Sequence, residues 1–192
     1  MKLSTFFTAI LFSISFLQLQ AQNEIPKSFA KGHIVLADGS SIPGYIKENM
    51  RSNASLTIIE EAGGKKRNYN GSELMGVYID SARFLCIKGD FFKVICEGDL
   101  YFLQKASNAS DKPVYNGIEA VSMNGTEGKI NDYFFYDNKR QQLRLLTKKN
   151  IPAMIETSFN NCAAAISKAK EAGDDLPLLK QAVAIYNARD EK

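Results

Sequence analysis

The sequence contains no tryptophan, one histidine (His33), three cysteines and five prolines. A lone histidine cannot supply the paired imidazoles of a His-Glu-X-X-His helix, and with scattered thiols it makes no zinc site. An odd number of cysteines leaves at least one thiol outside any disulfide. Charge of one sign is scarce too: 24 Lys and Arg against 21 Asp and Glu give a formal net charge of +3. A balance so near zero implies no strong pull on nucleic acid or on an anionic membrane, so nucleic acid is not an expected partner. Beyond Leu17 no stretch is apolar for long enough to span a bilayer. The 45% hydrophobic content is ordinary for a folded domain and argues against disorder.

What is present begins with a leader. Lys2 is followed by an apolar run from Phe6 to Leu17, then by Gln18-Leu19-Gln20-Ala21. Charge, apolar core and small residue in that order predict a signal peptide cleaved after about Ala21. The apolar core is about a dozen residues, short for a hydrocarbon layer of ~30 Å. A retained membrane anchor is the competing reading, and the polar flank disfavours it. Gln22 rather than Cys follows the cut, so no lipid-modified N-terminus is indicated. The expectation is a chain secreted or held in the periplasm, with no transmembrane helix in its mature part. Its divisions are residues 1–21 as signal peptide, 22–146 as a β-rich domain and 147–192 as a C-terminal helical hairpin. Removal of Lys2 with the leader lowers the net charge by one.

The body reads as short strands separated by turns. Gly32 to Leu36 and Gly44 to Lys47 flank Asp38-Gly39-Ser40-Ser41, a hairpin signal. Leu56 to Glu61 runs into Gly63-Gly64, and Lys65 to Tyr69 returns. With Gly63-Gly64 as a two-residue turn, Glu61 faces Lys66 and Glu60 faces Arg67, which accounts for the basic cluster. Further strands are expected at Leu74–Ile79, Arg83–Lys88, Phe91–Glu97 and Leu100–Lys105, then near Val114–Met123, Lys129–Tyr136 and Gln142–Leu146. A turn at Gly89-Asp90 places Cys86 opposite Lys93 and Cys96 opposite Arg83, out of register for a disulfide. Nearly unbroken apolar runs at Phe92–Ile95 and Tyr101–Leu103 suggest strands central in the sheet or covered on both faces. The fold class is mainly β (α+β): an antiparallel sandwich or barrel-like sheet followed by a helical hairpin.

After Thr147 the period changes. Ile151, Met154, Ile155, Phe159, Cys162 and Ile166 recur at three and four residues, one face of a helix. Asn150 is a candidate cap, Pro152 fits the first turn and Gly173 stops the helix. Asp174-Asp175 opens a second helix with Pro177 in its first turn and a stripe of Leu176, Leu179, Val183 and Tyr186. These stripes must be buried, either on the β domain or on a partner chain. The tail pieces Phe159-Asn160-Asn161-Cys162, Asp174-Asp175-Leu176 and Tyr186-Asn187, with the Gln-rich Leu19-Gln20-Ala21-Gln22 and the pattern from Gly32 to Gly39, resemble a group of functionally uncharacterised secreted proteins of Gram-negative bacteria. That resemblance implies a location and an architecture but no activity. It also implies a second cysteine soon after Tyr-Asn. Ala188 follows Asn187 here, so a bridge from Cys162 to the tail is not available.

Candidate chemistry is thin. His33 could act as a base, but no Gly-X-Ser-X-Gly elbow accompanies it. Asp90, Glu97 and Asp99 cluster in sequence and could form a carboxylate pair, as in glycoside cleavage, yet all three sit at turns, where backbone reasons favour such residues. Asn131-Asp132 and Asp137-Asn138 lack the alternating oxygens of a calcium loop. Gly63-Gly64-Lys65-Lys66 does not meet the spacing of a phosphate loop. Asn53, Asn70, Asn108 and Asn124 head Asn-X-Ser/Thr triplets, which support placement in surface turns. Tyr101, Phe102, Tyr133, Phe134, Phe135 and Tyr136 are core candidates that could instead line a ligand cavity. A lipocalin-like carrier suits the size and the helix after the strands, but the missing Trp removes that family's usual Gly-X-Trp. No catalytic residue, cofactor or metal ligand is assigned. The expected function is a non-enzymatic interaction module of the bacterial cell envelope or the outside medium. The expected partner is an unknown protein or, alternatively, a small apolar ligand in a barrel-like pocket. A carboxylate-based hydrolase ranks third.

Overall fold

Turn chemistry and strand period produce one long meander. The computed structural model describes residues 25–109, 113–115, 120–123, 125–173 and 175–191. The predicted signal peptide lies outside the described residues. The strands are β1 (Ala30–Leu36), β2 (Ser41–Asn49), β3 (Ser55–Ile59), β4 (Lys66–Asn70), β5 (Leu74–Ile79), β6 (Ala82–Ile87), β7 (Asp90–Cys96), β8 (Leu100–Lys105), β9 (Pro113–Tyr115), β10 (Ala120–Met123), β11 (Tyr133–Asp137) and β12 (Gln142–Leu145). A one-turn helix, α1 (Met50–Asn53), joins β2 to β3. Ten strands form a single antiparallel sheet in the order β12-β11-β8-β7-β6-β5-β1-β2-β3-β4, and β9 pairs only with β10. The expected mainly β architecture is present.

The chain meanders outward from β1 to β4, then returns to add β5 on the other side of β1 and continues to β12. Gly71, just after β4, bridges Gly89 in the β6–β7 turn, so the β4 edge curls back over the sheet. The curl lets Ile34, Ile46, Met50, Leu56, Ile58, Val77, Phe84 and Phe91 share one buried cluster. Burial of this kind stabilises by roughly 25 cal/mol per Å² of apolar surface.

Two hairpins differ in register from the expectation. The β6–β7 turn is Lys88-Gly89, both left-handed (φ 50° and 84°), so Cys86 opposes Phe91 and Lys93 opposes Phe84. The right-handed twist of the flanking strands favours this mirror-image turn over one at Gly89-Asp90. Cys86, Cys96 and Cys162 all carry free thiols. In β3–β4 the partners are Ile59↔Lys66 and Ile58↔Arg67, so the loop is longer than Gly63-Gly64. Glu60 still reaches Arg67 at 2.9 Å, diagonally rather than directly across. The expected single strand near Val114–Met123 is two short strands, and β11 begins at Tyr133 because residues 129–132 form a turn.

β8 and β11 are covered on both faces. Leu100, Phe102 and Phe135 point to the helices, while Leu103, Phe134 and Tyr136 join Phe92 on the other side. The helices are α2 (Ile151–Ser158), α3 (Ala163–Ala172) and, after a 3₁₀ turn at Leu176–Leu178, α4 (Leu179–Asn187). The helical layer sits on the sheet: Ile151, Ile155, Phe159, Ala165, Ala169, Leu179 and Val183 are buried in the same cluster as Phe102 and Phe135. The expected continuous helix to Gly173 is broken between Phe159 and Cys162. Asn161 there takes φ 64°, a left-handed conformation that Asn tolerates better than most side chains. The break turns Phe159 inward, where it meets Phe135 and Tyr186, each at 5.5 Å. Nor does the Asn150 side chain cap α2. It folds backward, accepting from the Thr147 N–H at 2.7 Å and donating to the Leu145 carbonyl at 2.8 Å.

Candidate functional site

The residues singled out in the sequence do not converge. His33 on β1 stacks flat on its cross-strand partner Tyr78, centroids 4.2 Å apart, over an open surface with Pro43 and Asp80. Of the three acids, Glu97 pairs with Arg83 and Asp99 with Lys139 at 2.5 Å, both at the surface.

Asp90 is different, because it is fully buried beside Lys105, with 3.1 Å from Oδ2 to Nζ. Every lone pair it presents is used. Oδ1 accepts from the Ser107 hydroxyl and the Ala109 N–H, and Oδ2 accepts from the Thr126 N–H and hydroxyl. The Lys105 ammonium donates to the carbonyls of Thr126, Glu127 and Gly128 at 2.7, 3.2 and 3.3 Å. A buried ion pair this well bonded holds a shape. It pins two loops over the β6–β7 hairpin. Among the described residues no three His, Cys, Asp or Glu side chains are grouped to hold a metal.

Of the aromatic candidates, Phe102, Phe134, Phe135 and Tyr136 are buried, and Tyr101 and Tyr133 are half-buried. Phe91, Phe92, Phe102, Phe134, Phe135 and Phe159 are each 0% exposed, and Phe92 meets Phe134 edge-on at 5.1 Å.

Open features lie instead on and beside the helical layer. An apolar groove of about 410 Å³ runs between α2 and α3, lined by Ile151, Pro152, Ala153, Ile155 and Ala169. The ion pair Glu156–Lys170 at 2.7 Å sits at its rim. Leu178 and Ile185 stand 47% and 37% exposed, and with Met75 they are the exposed large apolar side chains among the described residues. Leu178 ends the 3₁₀ turn that leads into α4 and Ile185 lies on α4, seven residues or about two helical turns further on.

The second open feature is polar. A cleft of about 150 Å³ forms where the ends of β8, β11 and β12 meet α2 and α4. Among the described residues it is lined by four cations, Lys139, Arg140, Arg144 and Arg189, and two carboxylates, Asp99 and Asp137. Asp137 is bridged to Arg140 at 3.2 Å, and the Arg189 guanidinium lies 3.4 Å over the Tyr186 ring. Arg144 has no carboxylate partner among the described residues. Strand alternation sends Leu143 and Leu145 toward Phe134 and Arg144 toward the helix-covered face, opposite Phe135. There its Nη2 donates to the Ser158 hydroxyl at 3.1 Å, while its Nε is buried without an acceptor. Sequence reasoning did not single out Arg144. The signal was a lone charge sharing the inward face of a strand with Leu146.

No family model, curated protein or solved structure matches this chain.

Proposed function

We propose that the chain is an exported, non-enzymatic interaction module of the cell envelope or the external medium, and that it engages a partner protein through its C-terminal helical layer. The observation that carries this reading is the exposure of Leu178, in the 3₁₀ turn, and of Ile185, on α4, where among the described residues Met75 is the other exposed large apolar side chain. Scattered exposed apolar residues need no explanation, but apolar side chains on one helical layer suit a contact surface. The closed packing of the phenylalanines supports this reading over a carrier, and the separate pairing of Asp90, Glu97 and Asp99 supports it over a carboxylate hydrolase. Export rests on the leader from Lys2 to Ala21.

Native mass spectrometry of the protein recovered from the exporting cell's envelope and medium tests this. The expected result is a mature chain beginning near Gln22, bound to a second chain at fixed stoichiometry. That second chain should be lost from the variant Leu178→Glu, Ile185→Glu while the fold is kept. Full-length protein in the cytosol, a bound apolar small molecule with no second chain, or a partner indifferent to the double variant would each overturn the proposal.

A further inference from the structure

The polar cleft at the junction of sheet and helices carries an inference independent of the helical contact surface. We propose that it is a binding site for one compact oxyanion, a phosphate or carboxylate group with few further atoms, held by Arg144 with Ser158 and Asn160.

The starting point is an imbalance. Arg144 lies on the side of β12 that faces the helices, in a cleft whose lining among the described residues has four cations and two carboxylates. Asp137 and Asp99 are already engaged, by Arg140 and Lys139. Among the described residues the Arg144 guanidinium has one acceptor, the neutral Ser158 hydroxyl, and its Nε is buried with none. Arg144 is half-buried, with no carboxylate partner among the described residues, and an anion beside it would take up its unused donors.

A second observation points at the same spot. Ser158 is only 5% exposed, yet it lines the cleft. Its oxygen accepts from Arg144, and its own proton has no acceptor among the described residues. A hydroxyl polarised by a guanidinium and holding an unused proton is a donor aimed at an acceptor that the protein does not supply. Asn160, exposed on the same wall, has a side-chain amide without a partner among the described residues and adds N–H donors. Thr157 contributes less, because its hydroxyl is turned back to the Ala153 carbonyl at 2.9 Å. A charged fork, a hydroxyl and an amide are the donor set of oxyanion recognition. A volume of about 150 Å³ suits a phosphate or a small carboxylate group.

The test is calorimetric titration of the full mature chain with inorganic phosphate and, separately, with succinate, at low ionic strength with chloride as the control anion. Thermal melting is followed in parallel. One saturable site for phosphate or succinate, absent for chloride and accompanied by a rise in Tm, is expected; whichever probe binds more tightly identifies the group. Arg144→Gln should weaken binding at least tenfold. Arg144→Lys should recover only part of that loss, since a point charge replaces a planar fork. If Arg144→Gln does not fold, Ser158→Ala and the exposed Asn160→Ala keep the question open to a decision. Each should cost several-fold in affinity, with Asn160→Ala leaving stability unchanged. No saturable site for either probe up to about 10 mM, or binding that all these variants leave unchanged, overturns the proposal.

Discussion

Asn187 at the end of α4 grips Leu100 at the start of β8 by both main-chain groups. Its Oδ1 accepts the Leu100 N–H at 3.1 Å and its Nδ2 donates to the Leu100 carbonyl at 2.9 Å. The same Nδ2 also reaches the Glu97 carbonyl at 3.0 Å. A side chain thus completes the backbone bonding of the β7–β8 turn and locks the last helix to the sheet, next to Tyr186, whose ring packs tilted against Phe159.

Asn187→Ala should therefore destabilise by about 1–3 kcal/mol, the cost of leaving turn amides and carbonyls unpaired. Gly98→Ala should do comparable damage from the other side. Gly98 has φ +150°, and an added Cβ would lie 2.4 Å from Asn187 Cγ. Urea unfolding of both variants checks this; two wild-type midpoints would show that the grip contributes nothing.

The buried pair at Asp90 and Lys105 should be asymmetric to mutation. In Asp90→Asn the new NH₂ must face a backbone N–H in either orientation, because Ala109 N–H serves one oxygen and Thr126 N–H the other. Donor then meets donor while Lys105 stays charged and buried, so a loss of about 3–5 kcal/mol is expected. Lys105→Met leaves Asp90 with four other donors, and about 1–3 kcal/mol is expected. Equal costs in denaturant titration would contradict this account.

Strands were legible because their signals are local: Asp38-Gly39 and Gly98-Asp99 mark turns, and alternation in Leu100 to Lys105 places Phe102 and Leu103 on opposite covered faces. Register was not. It depends on Lys88 adopting φ 50°, a conformation composition does not advertise for lysine. The insertion of β1 between β2 and β5 joins residues about forty positions apart, such as His33 and Tyr78, and no local pattern encodes it. At the polar cleft, Arg144 was visible only as a charge out of phase on an apolar strand face, and its partner Ser158 lies on another element.

The break between α2 and α3 makes a sharp prediction at Asn161. With φ at 64°, glycine relieves strain and a β-branched residue adds it. Asn161→Gly should change stability little, while Asn161→Val should cost about 1–2 kcal/mol. If Val is tolerated as well as Gly in thermal melts, the left-handed break is not what redirects the chain.

Cys86 gives the fold a dependence on alkaline pH. Burial on β6, across from Phe91, pushes its thiol up to about 12 from 9.0. A thiol ionises by losing a proton, so the folded chain keeps that proton while the unfolded chain releases it above about pH 8.5. Between about pH 9 and pH 12 the unfolded state therefore binds fewer protons, and stability falls as pH rises; below about pH 8 the group has no effect. Cys86→Ala removes a buried contact as well, so the comparison is of slopes. Wild type should lose up to about 1.4 kcal/mol more per pH unit than Cys86→Ala in this window. The native thiol should also resist alkylation at pH 8 until the sheet unfolds, because the thiolate is the nucleophile. Parallel slopes for the two proteins, measured by urea titration at pH 9 and above, together with ready alkylation of folded Cys86, would show that this thiol is not shielded by the sheet.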